Sequence, residues 1–261
     1  MALAEAYGMT GDPALKTPAQ HGVDTILARQ NRDLKPGAAK GDAKSDPYAA
    51  FGWDYAEATT RNDSSVTGWN VMALKSALAA QLNIGNGLEG AKCWLERTWK
   101  LTNPDWAKLD PYKGESLFPY GLMSDTDKIY YHPLECVGAV CAVYLGHHAG
   151  DVMLETLANT IMTKQTPAAY PCNTYFMYYN TLTMFQVGGE RWKTWNGRVR
   201  DLLVNAQRKG NGCFDGSWDW DGTEFPGHQI GRVLSTAYCC LSLEVYYRYA
   251  QVQGAKEKSL R

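Results

Sequence analysis

The chain is poor in the features that would place it in an easily assigned class. Its 26 basic and 27 acidic residues leave a formal net charge of -1 and contain no long basic run, so charge predicts no nucleic-acid partner and no anionic lipid surface. The longest apolar run, 137–145, is far below the ~20 residues a membrane-spanning helix needs. The first residues, M-A-L-A-E-A-Y-G, lack the basic start and apolar stretch of a signal peptide. They read as the end of a helix, so the expectation is a chain that starts inside a longer protein. None of the 7 cysteines forms a C-x-x-C, and several fall in apolar helical runs. They are expected as buried free thiols, which lean towards a reducing cytoplasm and leave the compartment open. The G-x-S-x-G, H-E-x-x-H and P-loop patterns are also absent, which removes the common serine-hydrolase, zinc-protease and nucleotide-binding readings.

What is present is helical. An apolar helix, a short polar turn, an amphipathic helix and a turn rich in Gly, aromatics and acids recur along the 261 residues as one repeated unit. The pattern predicts helices over 2–7, 13–30, 65–80, 88–99, 134–145, 151–164, 174–185, 190–207 and 231–249, with long loops over 31–55 and 101–131. Asp12 before Pro13 reads as an N-cap followed by proline at the first helical position. Val71, Met72, Ala73, Leu74 and the run 137–145 are apolar all round, as inner helices should be. Val199, Leu202, Leu203 and Ala206 recur at helical spacing beside Arg198, Arg200 and Asp201, as on an outer helix with one wet face. Inner helices wrapped by outer ones predict a single all-α domain over 1–261. Its expected form is an α/α toroid of about five helix hairpins, an incomplete ring at the N-terminus.

The stretch from Gln207 to Trp218 sharpens this reading. A Gln at a helix end, a Gly-rich turn and a Trp form a clamp, in which the Gln amide can satisfy helix-end backbone groups and the Trp fills the gap between hairpins. Gly216-Ser217-Trp218 preceded by Gln207 resembles the Gln-Trp repeat of squalene and oxidosqualene cyclases. Thr236-Ala237-Tyr238-Cys239 resembles the repeat of protein prenyltransferase β subunits. The stretches A-L-A-E-A-Y-G-M-T-G-D-P, S-V-T-G-W-N-V-M-A-L-K-S-A and S-L-E-V-Y-Y-R-Y are similar to bacterial proteins with prenyltransferase/squalene-oxidase repeats. The resemblance covers most of the chain and implies the toroid fold and an isoprenoid-related function.

Chemistry is thinner than the architecture. The Asp-x-Asp-Asp run by which the cyclases protonate an alkene is absent. Asp63, Glu135, Asp219 and Asp221 are the candidate catalytic carboxylates near inner-helix starts, with helix capping or turn formation as the alternative role of Asp63, Asp219 and Asp221. The Asp, Cys and His that hold zinc in the prenyltransferases are not matched in the last inner helix, where Val233 and Ser235 stand. His132 and Cys136, four apart, are the weak candidates for a metal, and no cofactor is expected. Trp69, Tyr175, Tyr178, Trp218, Trp220, His228 and Arg232 are the candidate ligand-binding residues. Aromatic rings can hold isoprenoids and stabilise carbocations, and helix N-termini at the same end favour anions. His147 and His148 are expected to cap the carbonyls of the preceding helix. The reading that follows is a module binding an apolar, isoprenoid-like ligand or a peptide in a central cavity; the alternative is an isoprenoid-processing enzyme, cyclase-like or prenyltransferase-like.

Overall fold

The computed structural model describes residues 1–34, 50–110, 112–210, 212–220 and 231–258, with side chains up to residue 246. Mainly helical, it follows the sequence pattern closely. The α-helices are α1 (Ala2–Thr10), α2 (Pro13–Ala28), α3 (Ser64–Ala79), α4 (Gly87–Thr102), α5 (Glu135–Tyr144), α6 (Val152–Lys164), α7 (Thr174–Val187), α8 (Gly189–Ala206) and α9 (Gly231–Lys258). Among the described residues no helix is long and apolar enough to cross a membrane. The chain divides into two compact units, Met1–Leu157 and Ala158–Arg261.

In the first unit α3 is the hub, packed against α1, α2, α4 and α5. Its Val71, Met72, Ala73 and Leu74 are buried on every side of one turn, while Leu78 and Ala79 at its end are exposed. α5 is sealed in the same way from Glu135 to Ala142. α4, by contrast, buries Gly87, Gly90, Ala91, Trp94, Leu95, Thr98 and Trp99, a single stripe at helical spacing. Two glycines permit close approach. A Cβ on Gly138 of α5 would stand 2.4 Å from the ring of Phe118, and one on Gly90 of α4 would stand 2.5 Å from the Ala50 backbone.

Caps set the helix starts. Asp12 Oδ1 accepts the Ala14 N–H at 2.9 Å with Pro13 opening α2, Asp63 Oδ1 accepts the Val66 N–H at 3.0 Å, and Asn173 Oδ1 accepts the Phe176 N–H at 3.0 Å. Each satisfies a backbone donor with no partner inside its helix.

Within the connection read as a loop over 101–131, two strands pair with a third, an arrangement the sequence pattern did not suggest. β1 (Arg61–Asp63), β2 (Gly121–Met123) and β3 (Ile129–Tyr130) form an antiparallel sheet in that order. Its register places Asn62 opposite Leu122 and Leu122 opposite Ile129. These strands are two or three residues long, too short for an alternating pattern to stand out. Asn62 secures the sheet from inside, its Nδ2 donating to the Leu122 carbonyl at 3.0 Å.

In the second unit α7 packs on α8 and α9. The outer helix α8 buries Trp195, Val199 and Leu203, one residue per turn on one face, and the Trp195 indole N–H donates to Thr181 Oγ1 of α7 at 3.0 Å. All seven cysteines are free. Cys136, Cys141 and Cys239 are buried as expected, whereas Cys93 and Cys213 are exposed. His147 does not serve as a carbonyl cap through its ring. Its Nδ1 meets Asp151 Oδ2 at 2.8 Å, while Asp151 Oδ1 accepts the Met153 N–H at 3.0 Å.

Candidate functional site

The Gln207–Trp218 clamp exists, but the helix-end carbonyl is met by the buried indole and not by the Gln amide. Gln207 Nε2 donates to the Gly216 carbonyl of the turn at 2.9 Å, and the Trp218 indole N–H reaches the helix-end carbonyl of Leu203 at 2.8 Å. The indole is the longer lever, so it spans from turn to helix while the Gln amide stays within the turn. The Arg208 N–H donates to the Ser217 carbonyl at 2.9 Å and the Gly216 N–H to the Arg208 carbonyl at 2.8 Å. The Trp218 N–H donates to Thr236 Oγ1 of α9 at 3.1 Å.

The first unit holds the same device around Gln30 and Trp53. Gln30 Nε2 donates to the Phe51 carbonyl at 2.7 Å, and the Trp53 indole N–H reaches the Ile26 carbonyl of α2 at 2.8 Å. The Asn31 N–H donates to the Gly52 carbonyl and the Phe51 N–H to the Asn31 carbonyl, each at 2.8 Å. The Trp53 N–H donates to Thr67 Oγ1 of α3 at 3.0 Å. Five hydrogen bonds thus recur between equivalent positions, and each Trp is followed by Asp and an aromatic, Asp54-Tyr55 and Asp219-Trp220. The long excursion between Gln30 and Trp53 hid the first copy. The pair Trp-Asp-aromatic, followed by a Thr inside the next apolar helix, is the signal that reveals it.

Beside each clamp the Asp takes an arginine. In the first unit Arg61 pairs with Asp54 and donates to Asp63 Oδ2 at 3.0 Å. Its guanidinium lies 5.9 Å from the centroid of Tyr55, 5.5 Å from Tyr120 and 5.9 Å from Tyr130, within cation–π range of all three. Burial alone would lower the Arg61 pKa, but Asp54 and then Asp63 outweigh it and raise it. Burial, followed by hydrogen bonds to Tyr55 and Asp63, pushes the Tyr120 phenol up. The Tyr55 and Tyr120 hydroxyls are 3.2 Å apart, and the His132 ring stands 6.5 Å from Tyr120.

In the second unit Asp219 Oδ2 accepts from Arg208 Nε at 2.8 Å, and Asp219 Oδ1 lies 2.5 Å from Arg232 Nη2. The Arg208 hydrogen bond, then that of Arg232, holds the Asp219 carboxyl below the usual carboxylate range. Arg232 is fixed further by Ser217 Oγ at 3.0 Å and by the Phe214 ring at 4.2 Å. A concavity of about 350 Å³ adjoins it, lined by Arg208, Lys209, Cys213, Phe214, Asp215 and Arg232 among others. On the neighbouring helices Tyr175 and Tyr178 of α7 meet Tyr238 of α9 with ring centroids 5.8 and 5.5 Å apart, and Tyr179 packs on Tyr175 and Tyr178 at 4.9 and 5.4 Å. Burial pushes the Tyr238 phenol up to about 12.

The sequence-predicted residues are therefore dispersed. Asp63, wholly buried, caps α3, takes the Ser65 hydroxyl at 2.5 Å and pairs with Arg61. Glu135 lies in the first turn of α5 at 2% exposure. Trp69 is half-buried on α3, Tyr175 and Tyr178 are buried in the ring cluster, and Trp218 is the clamp indole. Trp220 is half-buried, its indole N–H without a hydrogen-bond partner among the described residues. Asp221 and His228 lie outside the described residues. The proposed metal pair is separated by the helix boundary, since α5 begins only at Glu135. His132 is exposed and Cys136 fully buried, its thiol pushed well up by burial and then by the charge of Glu135. Among the described residues no group of three or more His, Cys, Asp or Glu side chains is placed to hold a metal ion. Arg61, Tyr120, Tyr130 and Tyr238 were not among the sequence candidates; Tyr238 was marked by its place in T-A-Y-C, and the other three come together only through the sheet. No known protein family, curated protein or solved structure matches the chain.

Proposed function

We propose that the chain is an α/α-toroid repeat protein of the terpenoid-cyclase and prenyltransferase kind that binds an apolar, isoprenoid-like ligand or a peptide without transforming it. The observation that carries this reading is the occupation of the carboxylates. Asp63 is committed to a helix cap and Arg61, and Asp219 is held ionised by two arginines. An alkene-protonating acid needs the reverse, a carboxyl whose surroundings keep its proton. The tyrosine cluster of α7 and α9 supplies apolar ring surface of the kind isoprenoids pack against. The twice-occurring clamp, each copy joining an outer helix to the inner helix that follows, supports the toroidal arrangement. An experimental structure in which the inner-helix starts do not surround one cavity would sink that arrangement.

A catalytic reading rests on one residue. Glu135 is a carboxyl group almost removed from water at the start of α5. Both readings are tested by mixing the purified chain with squalene or farnesol and following tryptophan fluorescence and product formation together. Saturable quenching with unchanged ligand supports the binder. Turnover abolished by Glu135→Gln replaces it with an enzyme, and the absence of any saturable signal removes the isoprenoid ligand from both.

A further inference from the structure

Among the described residues, the turn that closes the second clamp carries positive charge that the clamp does not use. Arg208 and Lys209 at its start and Arg232 in the first turn of α9 line the concavity beside it, and Asp215 is the acid in that lining. Asp219, which pairs with both arginines, is outside the lining and can neutralise the charge of one. Asp215 is partly spent as well, its Oδ1 accepting the Gly210 N–H at 3.0 Å. Among the described residues three cations therefore face two carboxylates.

The backbone adds donors. The consecutive N–H groups of Gly212, Cys213 and Phe214 have no acceptor among the described residues. Successive free N–H groups in a turn form a concave anion nest. Arg232 is already held in one place by the Phe214 face, Ser217 and Asp219, so little side-chain freedom would be lost when it met a ligand.

We propose that this concavity is an anion site for a phosphoryl group, either free phosphate-type metabolites or a lipid headgroup. A phosphoryl group presents three acceptor oxygens, which suits a lining that combines guanidinium, ammonium and backbone N–H donors. The site stands on a turn and is independent of whether an apolar ligand is bound elsewhere.

The test uses the whole chain labelled with nitrogen-15 and titrated with sodium phosphate, against sodium chloride at equal ionic strength. The expected result is a saturable shift of the Gly212, Cys213 and Phe214 amides with phosphate alone. The double variant Arg208→Ala/Lys209→Ala should weaken phosphate at least about tenfold, the scale of one lost charge-assisted hydrogen bond. Lys209→Ala alone, at an exposed position with no role in the clamp, should weaken it about threefold, and Lys92→Ala on α4 not at all. Flotation with vesicles of phosphatidylcholine with or without phosphatidic acid separates the sources. Binding to the acidic vesicles that is lost in Arg208→Ala/Lys209→Ala points to a lipid headgroup, and phosphate binding without flotation points to a soluble ligand. Equal shifts with chloride, or unchanged phosphate affinity in both variants, would overturn the site.

Discussion

The two clamps are built from the same five hydrogen bonds and are embedded differently. Gln30 is 5% exposed and its amide serves two carbonyls, Phe51 at 2.7 Å and Gly87 at 2.9 Å. Gln207 is half-buried and serves one. The surroundings differ in proportion. Around the first clamp, Asn31 Nδ2 donates to the Asn62 side chain at 2.9 Å and to the Arg61 carbonyl at 2.6 Å, and its Oδ1 accepts the Thr59 N–H at 2.6 Å. Around the second, the turn ends in a solvent-facing ion triplet. A buried hydrogen bond lost leaves an acceptor unpaired at full desolvation cost, whereas an exposed one is replaced by water. Identical bonds are thus expected to carry unequal weight.

Truncating the indoles should have the largest effect. Trp53 is 1% exposed and Trp218 2%, so Trp53→Ala and Trp218→Ala should each cost about 3–5 kcal/mol by ring removal. Urea unfolding followed by far-ultraviolet dichroism measures both, and a cost below about 1 kcal/mol at either site would remove that indole from the core of the clamp.

Next come the small-to-large probes of the first unit. Gly138→Ala drives a methyl into the Phe118 ring and Gly90→Ala drives one into the Ala50 backbone; overpacking of this kind costs about 1–3 kcal/mol. Gly90→Ala should be the worse of the two, because a backbone cannot rotate aside as a ring can. Equal melting points for these variants and the parent protein would contradict the close approaches.

The glutamines test the comparison directly. Gln30→Ala should cost about 1–3 kcal/mol by leaving two buried carbonyls short of a donor, and Gln207→Ala about 0.5–1 kcal/mol. Equal losses in paired denaturation curves would show that burial does not grade the two clamps.

The smallest effect is electrostatic. Asp219 has its pKa lowered by the arginines, so its contribution is present above the unfolded carboxylate pKa and disappears as pH falls through the folded value. Stability measured from pH 7 down to pH 2 should therefore decline less steeply in Asp219→Asn than in the parent. Salt should flatten the same difference, because the carboxylate is about one-third exposed. Superimposable pH profiles would mean that the triplet adds nothing to stability.

Little of this rests on residues the sequence could not have pointed to, yet the pointing was uneven. The helices were legible because apolar spacing persists over three or four turns, as in the stripe of Trp195, Val199 and Leu203 on α8. Asp63 was legible as a cap because capping is a contact three residues away. The second clamp could be seen because a short turn separates Gln207 from Trp218, and the first escaped because residues 31–52 intervene between Gln30 and Trp53. The cluster around Arg61 gave no signal, since Tyr55, Arg61, Tyr120 and Tyr130 approach one another only when β1 pairs with β2 and β2 with β3.

From sequence alone came the helical class, the order of α1 to α9 with the near-boundaries of α1 to α8, the capping roles of Asp12 and Asp63, and the existence of the Gln207 clamp. These are properties of neighbours along the chain, within the few residues over which periodicity and side-chain–backbone bonds act. Tertiary structure decided which group in the clamp reaches the helix, that the device occurs twice, and that Asp63 and Asp219 are bound by arginines. It also separated His132 from Cys136 by burying one and exposing the other. Such outcomes depend on distances between segments far apart in the chain, and no local spacing encodes them.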